Sequence, residues 1–282
     1  MTHEGTPTRS DRMEFPIRSD KLAMSVRVTK HLYSGKSAFQ QIDVVETDAL
    51  GKVLLLDGHV QLATFDEKAY HESLVWVPLL SIPSPKKALV VGGGDGGVIR
   101  EICKHESVRQ IDMVEIDEAV VRVSQQHLPE LSAGAFEDPR VNLHLTDAFE
   151  FVKASKDKYD LIVVDCTDVY EEEEGELSEM LFTQGFYSDL LRLLTDQGIV
   201  VTQADNLVFC PYSLEEVRRL FEGVFPTVGD YWGLVPSFGG FSGYVWGSKG
   251  ARINPSPDMT GFQFSHLTPE LVRASQSRLR FK

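Results

Sequence analysis

Residues 88–97 read ALVVGGGDGG, four apolar residues running into five glycines interrupted by a single aspartate. The apolar run has the length of a buried strand, and a helical pattern begins at residue 97, so the glycines fall on a strand-to-helix turn. Gly92-x-Gly94-x-x-Gly97 has the spacing of a nucleotide-binding loop, in which glycine lets the backbone turn sharply and a ligand come close. The next apolar run ends at Glu115, 18 residues beyond Gly97, where a carboxylate can accept both hydroxyls of a ribose. A lone glycine loop is weak evidence, and a Gly-rich turn without a ligand is the alternative; the strand, the helix and Glu115 together favour a nucleoside.

The charge inside the loop narrows the ligand. In a dinucleotide site the helix N-terminus faces a pyrophosphate, which Asp95 would repel. A carboxylate there suits a cationic arm, so an adenosyl sulfonium compound fits better than NAD. An arm ending in an ammonium fits better than the amino-acid end of S-adenosylmethionine. Farther along, Asp147 in LHLTDAF lies where a side chain reaches the adenine amino group or caps the helix that follows. YDLIVVDCTD then sets Asp165 and Asp168 at the carboxyl end of another strand, the edge at which open α/β sheets bind ligands. Two carboxylates so close call for a cation between them; the plainer reading is a helix cap beside a solvated acid.

Outward from this centre, strand candidates at 88–91, 110–115, 141–145, 161–164 and 198–202 alternate with helix candidates at 97–104, 118–127, 148–153, 183–194 and 213–221. The strands are mostly unbroken apolar runs, as in a parallel sheet covered on both faces. The fold class is therefore α/β, a Rossmann-like doubly wound sheet. Before it, residues 24–63 alternate with period two in three segments, SVRVTKHLY, FQQIDVVETD and KVLLLDGHVQLATF, with turns at Leu50-Gly51-Lys52 and Asp57-Gly58. These make a small antiparallel β domain. A helix over 66–80, with Asp66 as its N-cap, links the two, and the Pro-rich 81–87 marks the boundary. The expected division is a disordered tail at 1–12, the β domain with its linking helix at 13–80, the Rossmann-like domain at 86–250, and a tail at 251–282 with a short helix at 269–279.

The 282 residues carry 42 acidic and 28 basic side chains, a formal charge of −14. Such a field repels nucleic acid and favours a cationic small substrate. No apolar run has the length of a membrane span, and the polar start has no signal-peptide core. Three scattered cysteines, Cys103, Cys166 and Cys210, have no metal-ligand spacing and fit a cytoplasmic protein. Cys166 sits at the edge carrying Asp165, more plausibly as a wall than as a nucleophile.

At this point GGGDGGVIREICKH, VEID, FEDPRV, TDAFEF and YDLIVVDCTD, with DGHVQ and DEKAYHE before them, together resemble the polyamine aminopropyltransferases, the spermidine synthase family, over about residues 24–250. The resemblance implies transfer of the aminopropyl group of decarboxylated S-adenosylmethionine to an amine, with release of methylthioadenosine. It implies no permanently bound cofactor, no metal, and a homodimer or homotetramer. By position, Asp165 resembles the catalytic aspartate and Asp168 the residue holding the acceptor. Asp95 resembles the grip on the aminopropyl ammonium, with Gly92 and Gly94 beside it. Glu115 would take the ribose, Asp147 with Ala148 the adenine, and Gln40 the nucleoside from the β domain. Tyr70 and His71 match the residues lining the junction of the two substrates, and Gln203 the acceptor side. Tyr231 or Trp232, and Phe238, are candidates for an aromatic wall. The chain departs from the family after Asp168: both usual prolines are missing and an acid run, 171–174, lengthens the segment. Putrescine is the expected acceptor, giving spermidine; spermidine, agmatine or cadaverine are alternatives. A methyltransferase on the same fold and a non-catalytic nucleoside- or polyamine-binding relative are the competing readings.

Overall fold

In the computed structural model, residues 11–18, 21–166 and 183–279 are described. Asp168 and the acid run lie outside them, as does most of the tail expected at 1–12.

The N-terminal unit is one antiparallel sheet in sequence order: β1 (Arg12–Arg18), β2 (Leu22–Lys36), β3 (Gln41–Thr47), β4 (Gly51–Leu56) and β5 (His59–Ala63). Asp57 and Gly58 both have positive φ, 47° and 83°, the two-residue turn that matches strand twist. The first strand is one that the alternation from residue 24 onward does not reveal, because Pro16 interrupts it. Period-two alternation splits the sheet cleanly. Phe15, Val26, Val45, Val53 and Leu55 pack on one face. Ile42, Val44, Leu54, Leu56 and Leu62 pack on the other against Val120, Val123, Leu128 and Leu131. That second face docks the sheet on α3 (Glu118–His127) and α4 (Pro129–Ser132) of the larger domain.

The larger sheet has the order β11-β12-β10-β9-β6-β7-β8, where β6 is Lys87–Gly92, β7 Gln110–Glu115, β8 Val141–Leu145, β9 Tyr159–Asp165, β10 Leu194–Asn206, β11 Thr227–Val235 and β12 Gly240–Ser248. The five strands β8, β7, β6, β9 and β10 run parallel, and β12 and β11 close the edge antiparallel. Ala88 and Val90 face one layer while Leu89 and Val91 face the other, and Leu161 and Val163 alternate likewise with Ile162 and Val164. One layer holds α1 (Glu67–Leu79) and α2 (Gly97–Cys103); the other holds α5 (Ala148–Ala154), α6 (Gln184–Leu193) and α7 (Pro211–Glu222). Both faces of the sheet are thus buried, as its apolar strands require. The chain leaves β6 for β7 and β8 on one side, then returns to β9 on the other. The carboxyl ends of β6 and β9, where Gly92 pairs with Asp165, are the switch point of the sheet.

The linking helix is reassigned. All but one residue of α1 is buried, and Leu74, Val75, Trp76 and Val77 share a core with the strands of the large sheet. A helix enclosed around its whole circumference belongs inside a domain, so the boundary falls before Asp66 rather than at 81–87. Asp66 occupies the N-cap position but makes no cap bond; its carboxylate accepts from the backbone N–H and hydroxyl of Ser237 at 2.7 and 2.8 Å. The C-terminal segment wraps over α1. Glu72, fully enclosed, accepts the backbone N–H groups of Ser265, His266 and Leu267 at 2.7–2.9 Å, and Phe262 and Phe264 pack on Trp76. A last helix, α8 (Pro269–Ser275), is capped by Thr268 and stops four residues short of the expected end.

Candidate active site

A cavity of about 450 Å³ opens at the switch point, between the β domain and the carboxyl edge of the large sheet. Its floor is the glycine loop. Gly92 has φ +79°, and a Cβ there would lie 2.2 Å from the Asp165 carbonyl oxygen, so β6 and β9 approach this closely only with glycine. The loop is tied to β9 by a 2.9 Å hydrogen bond from the Gly93 N–H to that same carbonyl.

On one side the cavity is walled by Gln40, Leu54, Leu56, Gly94, Glu115, Ile116, Val120, Asp147, Ala148 and Phe149. Glu115 accepts the N–H groups of Ile116 and Asp117 through one oxygen, at 2.8 and 3.0 Å, leaving the other toward the glycine loop. Burial, together with the nearby charges of Asp117 and Asp165, pushes its carboxyl up to about 7 despite those hydrogen bonds. Asp147 caps α5 by accepting the Phe149 N–H at 2.7 Å and also borders the cavity. Gln40 reaches from the β domain to Asp117, 3.0 Å from Nε2 to Oδ2, where the Ser37 hydroxyl also donates at 2.6 Å. Asp117 went unnoticed in the sequence; its only signal there is a helix N-cap, which it also is.

On the other side stand Tyr70, Asp95, Asp165, Cys166, Gln203, Asp205, Asn206 and Phe238. The Tyr70 hydroxyl donates a short hydrogen bond to Asp165 Oδ1. Burial and the Asp95 charge raise the Asp165 carboxyl to about 6, while His71 and the tyrosine act in the opposite direction. Asp95 Oδ1 accepts the Gly97 N–H at 2.7 Å. Cys166 is held protonated by burial and by the carboxylates of Glu115 and Asp165, its thiol on the Val91 carbonyl, as a wall rather than a nucleophile. Phe238 meets the Tyr70 ring edge-on at 5.4 Å, on the turn clamped by Asp66 through Ser237 and by Asn206 through the Phe238 carbonyl.

Three expected site residues sit differently. His71 is 1% exposed and lies behind Asp95 rather than on the cavity wall. Trp232 packs on Phe241 and donates to the Ser277 carbonyl at 2.9 Å, away from the cavity, because its position in β11 turns it outward. Tyr231, its neighbour on the opposite face, is enclosed against Tyr244 and donates to the Ser73 carbonyl. Of that aromatic group only Phe238 reaches the cavity. Gln203 does line it, but its amide is spent on the backbone, donating to the Cys166 carbonyl at 3.1 Å and accepting the Asp205 N–H at 3.0 Å. Asp205, at φ 57°, borders the cavity beyond Gln203 and carried no signal in the sequence beyond its place two residues on.

Ligand atoms of His71, Asp95 and Asp165 lie within 4.8 Å of one another. Both ring nitrogens of His71 already face carboxylates, Glu67 at 2.8 Å and Asp95 at 3.3 Å. A ring donating at both nitrogens has no lone pair for a metal. The chemistry offered is that of a cation site: the carboxylates of Asp95 and Asp165 converge at a cavity that the carboxylate of Glu115 also lines.

The chain is similar to known proteins along most of its length. Residues 67–256 match the spermine/spermidine synthase domain, and residues 15–64 the spermidine synthase tetramerisation domain. A polyamine aminopropyltransferase of Clostridium tetani is 37% identical over 255 residues, covering 89% of each chain. Spermidine synthase 1 of Hyoscyamus niger is 40% identical over 252 residues, covering 85% of this chain and 77% of its own. A spermidine synthase crystallised with the transition-state analogue AdoDATO superposes with a TM-score of 0.89 at 28% identity, over 99% of this chain and 96% of that one. The enzyme of Thermotoga maritima superposes with a TM-score of 0.87 at the same identity, over 99% and 95%. The fold and these matches agree: the chain belongs to the spermidine synthase family of polyamine aminopropyltransferases.

Proposed function

We propose that the protein transfers the aminopropyl group of decarboxylated S-adenosylmethionine to putrescine, giving spermidine and methylthioadenosine. The observation that carries this reading is the convergence of Asp95 and Asp165 at a cavity that Glu115 also lines. In this assignment Glu115, Gln40, Asp147 and Ala148 bind the nucleoside, Gly92 and Gly94 let it approach, and Asp95 takes the ammonium of the aminopropyl arm. Tyr70, Asp165 and Gln203 face the acceptor.

The reaction is an in-line displacement. The acceptor nitrogen forms a bond to the carbon next to sulfur, the C–S bond breaks, and its electron pair neutralises the sulfonium. The nucleophile must be a neutral amine, whereas free alkylamines, like lysine, hold their proton to about pH 10.4. Asp165, with its carboxyl raised to about 6, is a better base than an ordinary aspartate, and Tyr70 fixes which oxygen is available. Asp205, Asn206, His59 and Gln61 also line the cavity. This supports an acceptor with a second polar end, as diamines and longer amines have. The name of the family model matched by residues 15–64 supports a homo-oligomer.

The test is incubation with decarboxylated S-adenosylmethionine and, separately, putrescine, cadaverine, agmatine and spermidine, reading methylthioadenosine release. Release that is fastest with putrescine supports the assignment. Faster release with another amine moves the acceptor, and none with any amine removes the catalytic reading.

A further inference from the structure

Behind the cavity, a chain of buried charges ends on Asp95. Arg100 on α2 donates to both oxygens of Glu67 on α1, at 2.8 and 3.2 Å. Glu67, 5% exposed, accepts from His71 Nδ1 at 2.8 Å, one helical turn away. His71 Nε2 faces Asp95 Oδ1 at 3.3 Å. The ring fits only because Gly97 lacks a side chain; a Cβ there would stand 2.2 Å from it. Arg100 is itself fixed by the Leu131 carbonyl at 2.6 Å and by Glu101 at 2.8 Å.

The protonation state follows from the partners. A neutral imidazole carries one N–H, and here both nitrogens face carboxylates. Glu67 is held as an anion by the guanidinium, its carboxyl lowered to about 2 by His71 and Arg100 against the cost of burial. The ring therefore donates at both ends as an imidazolium, raised to about 10 by Asp95 and Glu67 although burial acts against it. The cation matters because Asp95 and Asp165 lie close together. Like charges at such range repel each other, and a positive charge beside them offsets that repulsion.

We propose that Glu67 and Arg100, neither of which lines the cavity, are positioning residues for the donor: they keep His71 doubly protonated, and the imidazolium, through Nε2, aims Asp95 at the aminopropyl ammonium. The proposal rests on the assignment of Asp95 to that arm.

The experiment compares two ligands on wild type, Glu67→Gln, and the double variant Glu67→Gln with Arg100→Met, which leaves no unpaired guanidinium. Methylthioadenosine has the nucleoside without the ammonium; decarboxylated S-adenosylmethionine has both. Both variants should lose tenfold or more in affinity for the latter, and show the same rise in its KM, while methylthioadenosine affinity changes less than threefold and kcat falls less than KM rises. Wild-type ¹⁵N spectra at pH 7.5 should show both His71 nitrogens protonated. An equal loss for the two ligands, no loss for either, or a singly protonated wild-type ring would overturn the proposal. If neither variant folds, the wild-type spectrum alone decides. Failure of the underlying reading looks different: wild type itself would then neither bind nor turn over decarboxylated S-adenosylmethionine.

Discussion

Asp165 and Tyr70 come from elements that are remote in sequence, the end of β9 and the first turns of α1, yet share a hydrogen bond. Substituting Asp165 by Asn keeps the shape and removes the proton acceptor. Turnover should fall by roughly 10²–10⁴-fold, the usual worth of a positioned base, while methylthioadenosine affinity stays within a few-fold; steady-state kinetics and calorimetry read the two separately. Glu115 gives a pH signature. With its carboxyl raised to about 7, it gains a proton as pH falls through that value and becomes a poorer acceptor for ribose hydroxyls. Methylthioadenosine binding should therefore weaken below about pH 7, by at most about tenfold per pH unit for one proton, and a Glu115→Gln variant should lose the dependence. Asp95, Glu115, Asp147 and Asp165 all line the cavity, where their places beside the glycine loop and at strand ends put them. His71 and Trp232 were misplaced because sequence position does not say which side of a wall a side chain occupies.

At the scale of elements, α1 shows where periodicity stops being informative. Its neighbours cover nearly every residue, and its polar side chains Glu67, His71 and Glu72 are buried on partners rather than turned to solvent, so their spacing does not tie it to one layer. The strands of both sheets, by contrast, were readable from apolar runs and from alternation, since each has a fixed relation to its core. What holds α1 to the C-terminal segment is Glu72, whose carboxylate serves three backbone N–H groups. Glu72→Ala strands those donors in an enclosed site and should cost roughly 2–4 kcal/mol of stability, measured by urea unfolding. A loss below about 0.5 kcal/mol would mean that water replaces the carboxylate there.

For the whole molecule, pH should bound stability through the buried pair in α1. Glu67, normally near 4.5 and held at about 2, stabilises fully above about pH 4.5 and loses that contribution as pH falls through 2. His71, normally near 6.5 and raised to about 10, stabilises fully below about pH 6.5 and loses it as pH rises through 10. The difference in Tm between wild type and Glu67→Gln should accordingly be widest between about pH 4.5 and 6.5 and narrow on both sides. The two-domain plan itself was legible. The division at Asp66 was not, because it depends on contacts rather than on a Pro-rich segment.

All of these scales meet in one claim, that the carboxylate in the glycine loop selects a donor with a free ammonium arm. The most direct test is the affinity of the wild-type protein for decarboxylated S-adenosylmethionine against S-adenosylmethionine, which differs by one carboxylate on that arm. A carboxylate brought unpaired against Asp95 costs about 3 kcal/mol or more, so the decarboxylated compound should bind at least ~100-fold more tightly. Equal affinity, or a preference for S-adenosylmethionine, would contradict the account.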